Sequence, residues 1–165
     1  MKTLVIHPKD NTTFFLTQSY LGTDCTVLTD PNVSKSRLKE LIKSHDKIVM
    51  MGHGTNQGLI GSKRFIIDST YVYLLKDKVC VCVWCHADEF FNKYKLKGYA
   101  TGMVVSELDE GYYYGVNCTY KEINESNDLF AKSLKLALQS SDVRGTLLEY
   151  YQGDTDVVFF NKGNL

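Results

Sequence analysis

Apolar residues along this chain fall into short unbroken runs, separated by stretches where they recur every third or fourth position. The runs are Leu4–His7, Cys25–Leu28, 47–52, 79–85 and Tyr99–Val105. Short continuous runs of this kind mark strands buried on both faces. The stretches between them are helical in pattern. Thr12–Leu21 places Phe14, Phe15, Leu16 and Tyr20 at loosely helical spacing. Ser34 is set to cap a helix whose Leu38, Leu41 and Ile42 face away from lysines. Ser69 opens a short helix to Leu75, and His86–Lys97 sets Phe90, Phe91 and Tyr94 on one side. Glu125–Leu138 is the clearest amphipathic helix, and Val143–Tyr151 predicts another. Arg64–Asp68 reads as a small hairpin, Asp109–Asn117 as an exposed tyrosine-rich loop, and Thr155–Phe160 as a last strand.

Strands alternating with helices predict an α/β three-layer sandwich with a mainly parallel sheet. Right-handed crossovers favour the flavodoxin-like order 2-1-3-4-5, here with the last strand added. Residues 1–165 form a single α/β domain in this reading. In such sheets reactive groups gather at the carboxyl ends of the strands.

Composition removes several function classes. The chain carries 19 basic and 19 acidic residues, so no net field draws it to nucleic acid or an anionic membrane. No run approaches the ~18 apolar residues of a membrane span. The opening stretch Met1–His7 is too short an apolar segment for a signal sequence, which predicts a cytoplasmic protein. Five cysteines, an odd number, are then expected as thiols rather than disulfides.

Two strand endings carry the chemistry. One run closes on Gly52-His53-Gly54 and the next on Cys85. If these strands are neighbours, their ends lie roughly 5 Å apart. A thiol and an imidazole so placed make a nucleophile with its own base. A helix beginning at His86 would add backbone N–H groups and a dipole favouring the thiolate. The N–H groups of Gly54 and Cys85 are the candidate oxyanion donors.

This pattern, a hydrophobic strand ending in His-Gly followed by one ending in Cys, resembles the caspase-like cysteine peptidases. Gly52-His53-Gly54 matches their histidine motif, and Cys85-His86 looks like the start of the metacaspase Asp-x-Cys-His-Ser-Gly motif. The resemblance spans roughly residues 1–110 and implies a caspase-like sheet. It makes His53 the general base, Cys85 the nucleophile and Gly54 an oxyanion donor. Val83 stands where metacaspases place an acidic residue, so their basic-residue specificity does not carry over, and Ala87-Asp88 replaces Ser-Gly.

Further candidates for substrate binding are His7, His86, Glu107, Asp109 and Tyr112. Cys82-Val83-Trp84-Cys85-His86 spells a haem-attachment motif and contains Cys-x-x-Cys, but Cys82 lies inside a predicted strand, where neither chemistry operates. A straight strand also splays the cysteines away from a common zinc ion. The glycines at 52, 54, 58 and 61 follow the third strand and open no helix, unlike a dinucleotide fingerprint. The favoured function is therefore a cysteine hydrolase, a minimal peptidase with a His53–Cys85 dyad, needing no metal or organic cofactor. Its partner is a peptide or small-molecule substrate. The alternatives are a non-catalytic α/β module binding a ligand or partner, and a hydrolase of a nucleotide-derived small molecule.

Overall fold

The computed structural model describes residues 1–165 and is α/β throughout. Five strands, β1 (Thr3–Ile6), β2 (Thr26–Leu28), β3 (Lys47–Met51), β7 (Val79–Val83) and β8 (Lys97–Ala100), form one sheet in the order β2-β1-β3-β7-β8. Every pairing in it is parallel. In sequence terms this is the predicted 2-1-3-4-5 order. Three further strands, β4 (Gly54–Thr55), β5 (Gly58–Ile60) and β6 (Phe65–Ile67), make a small antiparallel sheet. The predicted hairpin at 64–68 is its last strand.

The chain divides into two compact units. The first, residues 1–13 and 22–102, holds both sheets. It also contains α1 (Lys35–Lys43), α2 (Val72–Leu75) and α3 (Ala87–Lys93). Alternation along the central strands sorts their side chains. Leu4, Ile6, Ile48, Met50, Cys80 and Cys82 pack into one core with Leu38 and Ile42 of α1, Leu75 of α2 and Phe90 of α3. Val5, Val49, Met51, Val81 and Val83, on the opposite face, are buried as well. Both faces of the sheet are thus covered, as a three-layer α/β sandwich requires, and each buried aliphatic side chain contributes about 1.5–3 kcal/mol. Ser34 caps α1 as expected, its Oγ accepting from the Arg37 N–H at 3.2 Å.

The second unit, residues 14–21 and 103–165, is helical. It comprises α4 (Leu108–Tyr113), α5 (Tyr120–Leu138), α6 (Val143–Tyr150) and α7 (Asp156–Lys162). A buried polar network joins three of these helices to the segment before α4. Asn161 accepts from the Val105 N–H at 2.7 Å and donates to the Val105 carbonyl at 3.0 Å and to the Tyr151 hydroxyl at 3.1 Å. The Tyr151 hydroxyl in turn lies 2.6 Å from Ser126 Oγ. A 3-10 helix, Asn11–Ser19, runs from the first unit into the second.

Four expectations about elements are corrected. The last strand predicted at Thr155–Phe160 is α7, with Thr155 as its cap and Val157, Val158 and Asn161 on its buried side. The loop predicted at Asp109–Asn117 begins with α4, whose start is held by Glu110 Oε1 accepting from the N–H groups of Ser106 and Glu107, each at 3.0 Å. The fifth strand ends at Ala100 instead of continuing to Val105, whose backbone is claimed by the Asn161 amide. The short helix after β6 is capped by Asp68, not Ser69, with Oδ1 accepting from the Thr70 N–H at 2.9 Å. No helix is long and apolar enough to cross a membrane.

Candidate active site

His53 and Cys85 stand at the ends of adjacent parallel strands. The last paired rung of β3 and β7 is Met51↔Val83, and each candidate follows that rung by two residues. One more ladder bond, from the Gly52 N–H to the Val83 carbonyl at 3.1 Å, carries the pairing to the edge of the site. Gly52 then turns the chain at φ 143°, a conformation L side chains rarely adopt. That turn delivers His53 to the start of β4.

The imidazole is held from one side. Its Nε2 lies 2.5 Å from Thr12 Oγ1 and 3.5 Å from Asp10 Oδ1. Asp10 accepts from the Thr12 hydroxyl at 2.5 Å and from the Thr12 N–H at 2.8 Å. The Thr12 hydroxyl bond holds the Asp10 carboxyl below the usual carboxylate range. The Thr12 N–H and the charge of His53 act in the same direction, against partial desolvation. Sequence reasoning missed Asp10 and Thr12. The signal was present in Asp10-Asn11-Thr12, directly after the first strand, because in this fold that segment lies at the same sheet edge as the ends of β3 and β7.

Cys85 is half-buried and lies in the turn between β7 and α3. The turn is pinned on both sides of it. The Trp84 carbonyl accepts from the Ala87 N–H at 3.1 Å and from the Thr101 hydroxyl at 3.2 Å. The Asp88 N–H reaches the Thr101 carbonyl at 2.9 Å. His86 completes the turn in the left-handed conformation at φ 65°, an uncommon one for a residue other than glycine. Its Nδ1 lies 3.4 Å from Glu89 Oε1, so the second histidine faces the first turn of α3.

This local geometry corrects the expected thiolate stabilisation. The helix begins at Ala87, and the N–H groups of Ala87, Asp88 and Glu89 are already donated to protein acceptors. Two carboxylates, Asp88 and Glu89, occupy its first turn and offset the dipole there.

Gly54 is fixed by packing. A Cβ there would run into Trp84 Cδ1 and come within 2.5 Å of the Gly58 carbonyl. Trp84, 3% exposed, lies edge-on to Phe90 with ring centroids 5.7 Å apart. Its Nε1 donates to the Thr55 carbonyl at 2.9 Å. One indole thus ties the segment after His53 to the residue before Cys85. Gly54 opposes Leu59, and the Ile60 N–H donates to the His53 carbonyl at 2.8 Å. That is the pattern of a non-hydrogen-bonded antiparallel pair, which directs the Gly54 N–H away from β5.

The other candidates separate by unit. His7 is in the first, just past β1, 3% exposed, with Nε2 3.2 Å from Thr13 Oγ1. Burial pushes its pKa down, while Thr13 and the charge of Asp10 push the other way. Glu107, Asp109 and Tyr112 belong to the second unit: Glu107 caps α4, Asp109 lies in its first turn, and Tyr112 is 68% exposed. Cys80 and Cys82 are packing residues of the core, and burial pushes the Cys80 thiol up to about 12 and that of Cys82 well above its ordinary value. None of the five cysteines is in a disulfide, and no group of three or more His, Cys, Asp or Glu is arranged to hold a metal.

A polar cleft of about 520 Å³ opens in the first unit, lined by Asn56, Gln57, Asp68, Glu89, Lys93 and Tyr94 among others. Its walls come partly from Asn56 and Gln57 between β4 and β5 and from Glu89 and Lys93 of α3, and neither His53 nor Cys85 lines it. No family model matches the chain, and no curated protein matches it.

Proposed function

We propose that this protein is a cysteine hydrolase acting on an acyl bond, in the manner of a minimal caspase-like peptidase. The observation that supports this best is the shared rung. His53 and Cys85 sit at equal distance along the chain beyond Met51↔Val83, at the carboxyl edge of neighbouring parallel strands. His53 takes the thiol proton, and the thiolate attacks the carbonyl carbon of the substrate. The tetrahedral adduct collapses, breaking the scissile bond as the imidazolium protonates the leaving amine. A water deprotonated by His53 then hydrolyses the thioester on Cys85, releasing the acid and restoring the thiol. The Gly54 and Cys85 N–H groups receive the oxyanion, and the polar cleft holds the substrate chain. The substrate is a peptide, and a reducing compartment such as the cytoplasm keeps the thiol available.

A panel of peptidyl acyloxymethyl ketones with varied side chains, read by intact mass and peptide mapping, tests the reading. The expected result is an adduct on Cys85 with at least one member, and turnover of the matching amide that is lost in both Cys85→Ala and His53→Ala. Labelling no faster in the native protein than in His53→Ala, across the panel, overturns it.

One observation favours a second reading, a non-catalytic module that binds a ligand at the same cleft. The spent N–H groups and the two carboxylates at the start of α3 give a thiolate no help from that helix. A ligand that protects Asn56 and Gln57 from solvent exchange, without any chemistry at Cys85, is the outcome that reading predicts.

A further inference from the structure

We propose that Asp10 and Thr12 are positioning residues that hold neutral His53 as its Nε2–H tautomer, so that Nδ1 carries the lone pair that deprotonates Cys85. The inference rests on the dyad reading above and adds two residues from the segment after β1.

Proton counting carries the argument. A carboxylate is an acceptor only, and a threonine hydroxyl has a single proton to give. Thr12 Oγ1 lies 2.5 Å from Asp10 Oδ1 and 2.5 Å from His53 Nε2. Since Asp10 is ionised at neutral pH, the hydroxyl proton is committed to it, and the same Oδ1 also takes the Thr12 N–H at 2.8 Å. Thr12 Oγ1 is then left only as an acceptor towards the ring. His53 must supply the proton of that contact, which places hydrogen on Nε2 and the lone pair on Nδ1. Hydrogen bonding at one ring nitrogen selecting the state of the other is the general behaviour of catalytic histidines.

The same arrangement serves the charged state. When Nδ1 takes the thiol proton, both ring nitrogens become donors, and Nε2 already faces Thr12 Oγ1 with the Asp10 carboxylate 3.5 Å away. No proton moves from His53 to Asp10 in this scheme. The carboxylate orients the hydroxyl and offsets the positive charge of the imidazolium. Both side chains are on an exposed segment, so their replacement leaves the core intact.

The test combines a spectroscopic and a chemical readout. Imidazole ¹⁵N shifts of His53 are recorded at a pH where the ring is neutral, in the native protein and in Thr12→Val, Thr12→Ser and Asp10→Asn. Cys85 alkylation by iodoacetamide is followed in the same samples and in His53→Ala. The proposal expects Nε2–H in the native protein and in Thr12→Ser. It expects a gain of Nδ1–H in Thr12→Val and Asp10→Asn, with Cys85 alkylation near pH 7 slowed roughly tenfold in those two. A native ring that is Nδ1–H, or a tautomer unmoved by both substitutions, overturns the positioning role. If the tautomer responds as expected but His53→Ala leaves the alkylation rate unchanged, the dyad reading falls and takes the catalytic role of the pair with it.

Discussion

At the scale of single residues, burial decides which of the chemically capable groups can act. Three cysteines crowd the segment from Cys80 to Cys85, yet two are sealed into the sheet core. With the Cys80 thiol pushed up to about 12 and Cys82 also raised by burial, neither ionises in the folded protein at pH 8. Alkylation of the native protein at that pH is therefore expected to leave both unmodified, and full modification to appear only in denaturant, as peptide mapping of the two samples will show. His7 gives a second prediction, on stability. Its folded pKa lies below the unfolded value of about 6.5, so below that pH the unfolded chain binds more protons than the native one. Stability against urea is then fully present above about pH 6.5 and lost as pH falls towards the folded pKa. His7→Gln, which keeps a partner for Thr13, is expected to flatten that slope between pH 7 and 5.5. An unchanged slope would mean that His7 titrates normally.

At the scale of elements, the site is assembled by turns rather than by strands. Gly52, Gly54 and His86 each take or permit a conformation that aims a neighbour, and Trp84 locks two of the segments together. Gly54→Ala forces its methyl against the indole and the Gly58 carbonyl, an overpacking cost of about 1–3 kcal/mol. Thermal unfolding is expected to show that loss. Trp84→Phe, which forfeits the 2.9 Å bond to the Thr55 carbonyl, is expected to lose about 1 kcal/mol. A Gly54→Ala protein as stable as the native one would contradict the close packing described.

The order of the five parallel strands was legible in the sequence because continuous apolar runs such as 47–52 and 79–85 leave few right-handed topologies. The helices of the second unit were less so. Val157-Val158-Phe159-Phe160 has the composition of a strand, yet it forms a helix that Thr155 caps and that buries Val157, Val158 and the hydrogen-bonded Asn161. The start of α4 depends on a reciprocal cap between Glu107 and Glu110, which outweighs the poor helix propensity of Gly111 and the tyrosines.

At the scale of the whole molecule, the first unit brings three loops to the carboxyl edge of one sheet: Asp10 and Thr12 after β1, His53 after β3, Cys85 after β7. The adjacency of His53 and Cys85 along the sheet edge was legible because each follows a strand that the topology makes a neighbour of the other. Asp10 and Thr12 were not read, because a polar segment after β1 signals its place at the sheet edge but not its bond to His53, which is a contact between residues distant in the chain. The second unit carries Glu107, Asp109 and Tyr112 on or beside α4, with Glu107 at its cap, Asp109 in its first turn and Tyr112 exposed.

The proposed activation of Cys85 by His53 is read out by the pH dependence of Cys85 alkylation. Iodoacetamide labelling resolved by peptide mass, from pH 5 to 10, is compared between the native protein and His53→Ala. Cys85 of the native protein is expected to react with an apparent pKa well below the ~8.5 of an ordinary thiol, and that of the variant to show an ordinary profile. Superimposable profiles, both those of an unactivated thiol, would contradict it.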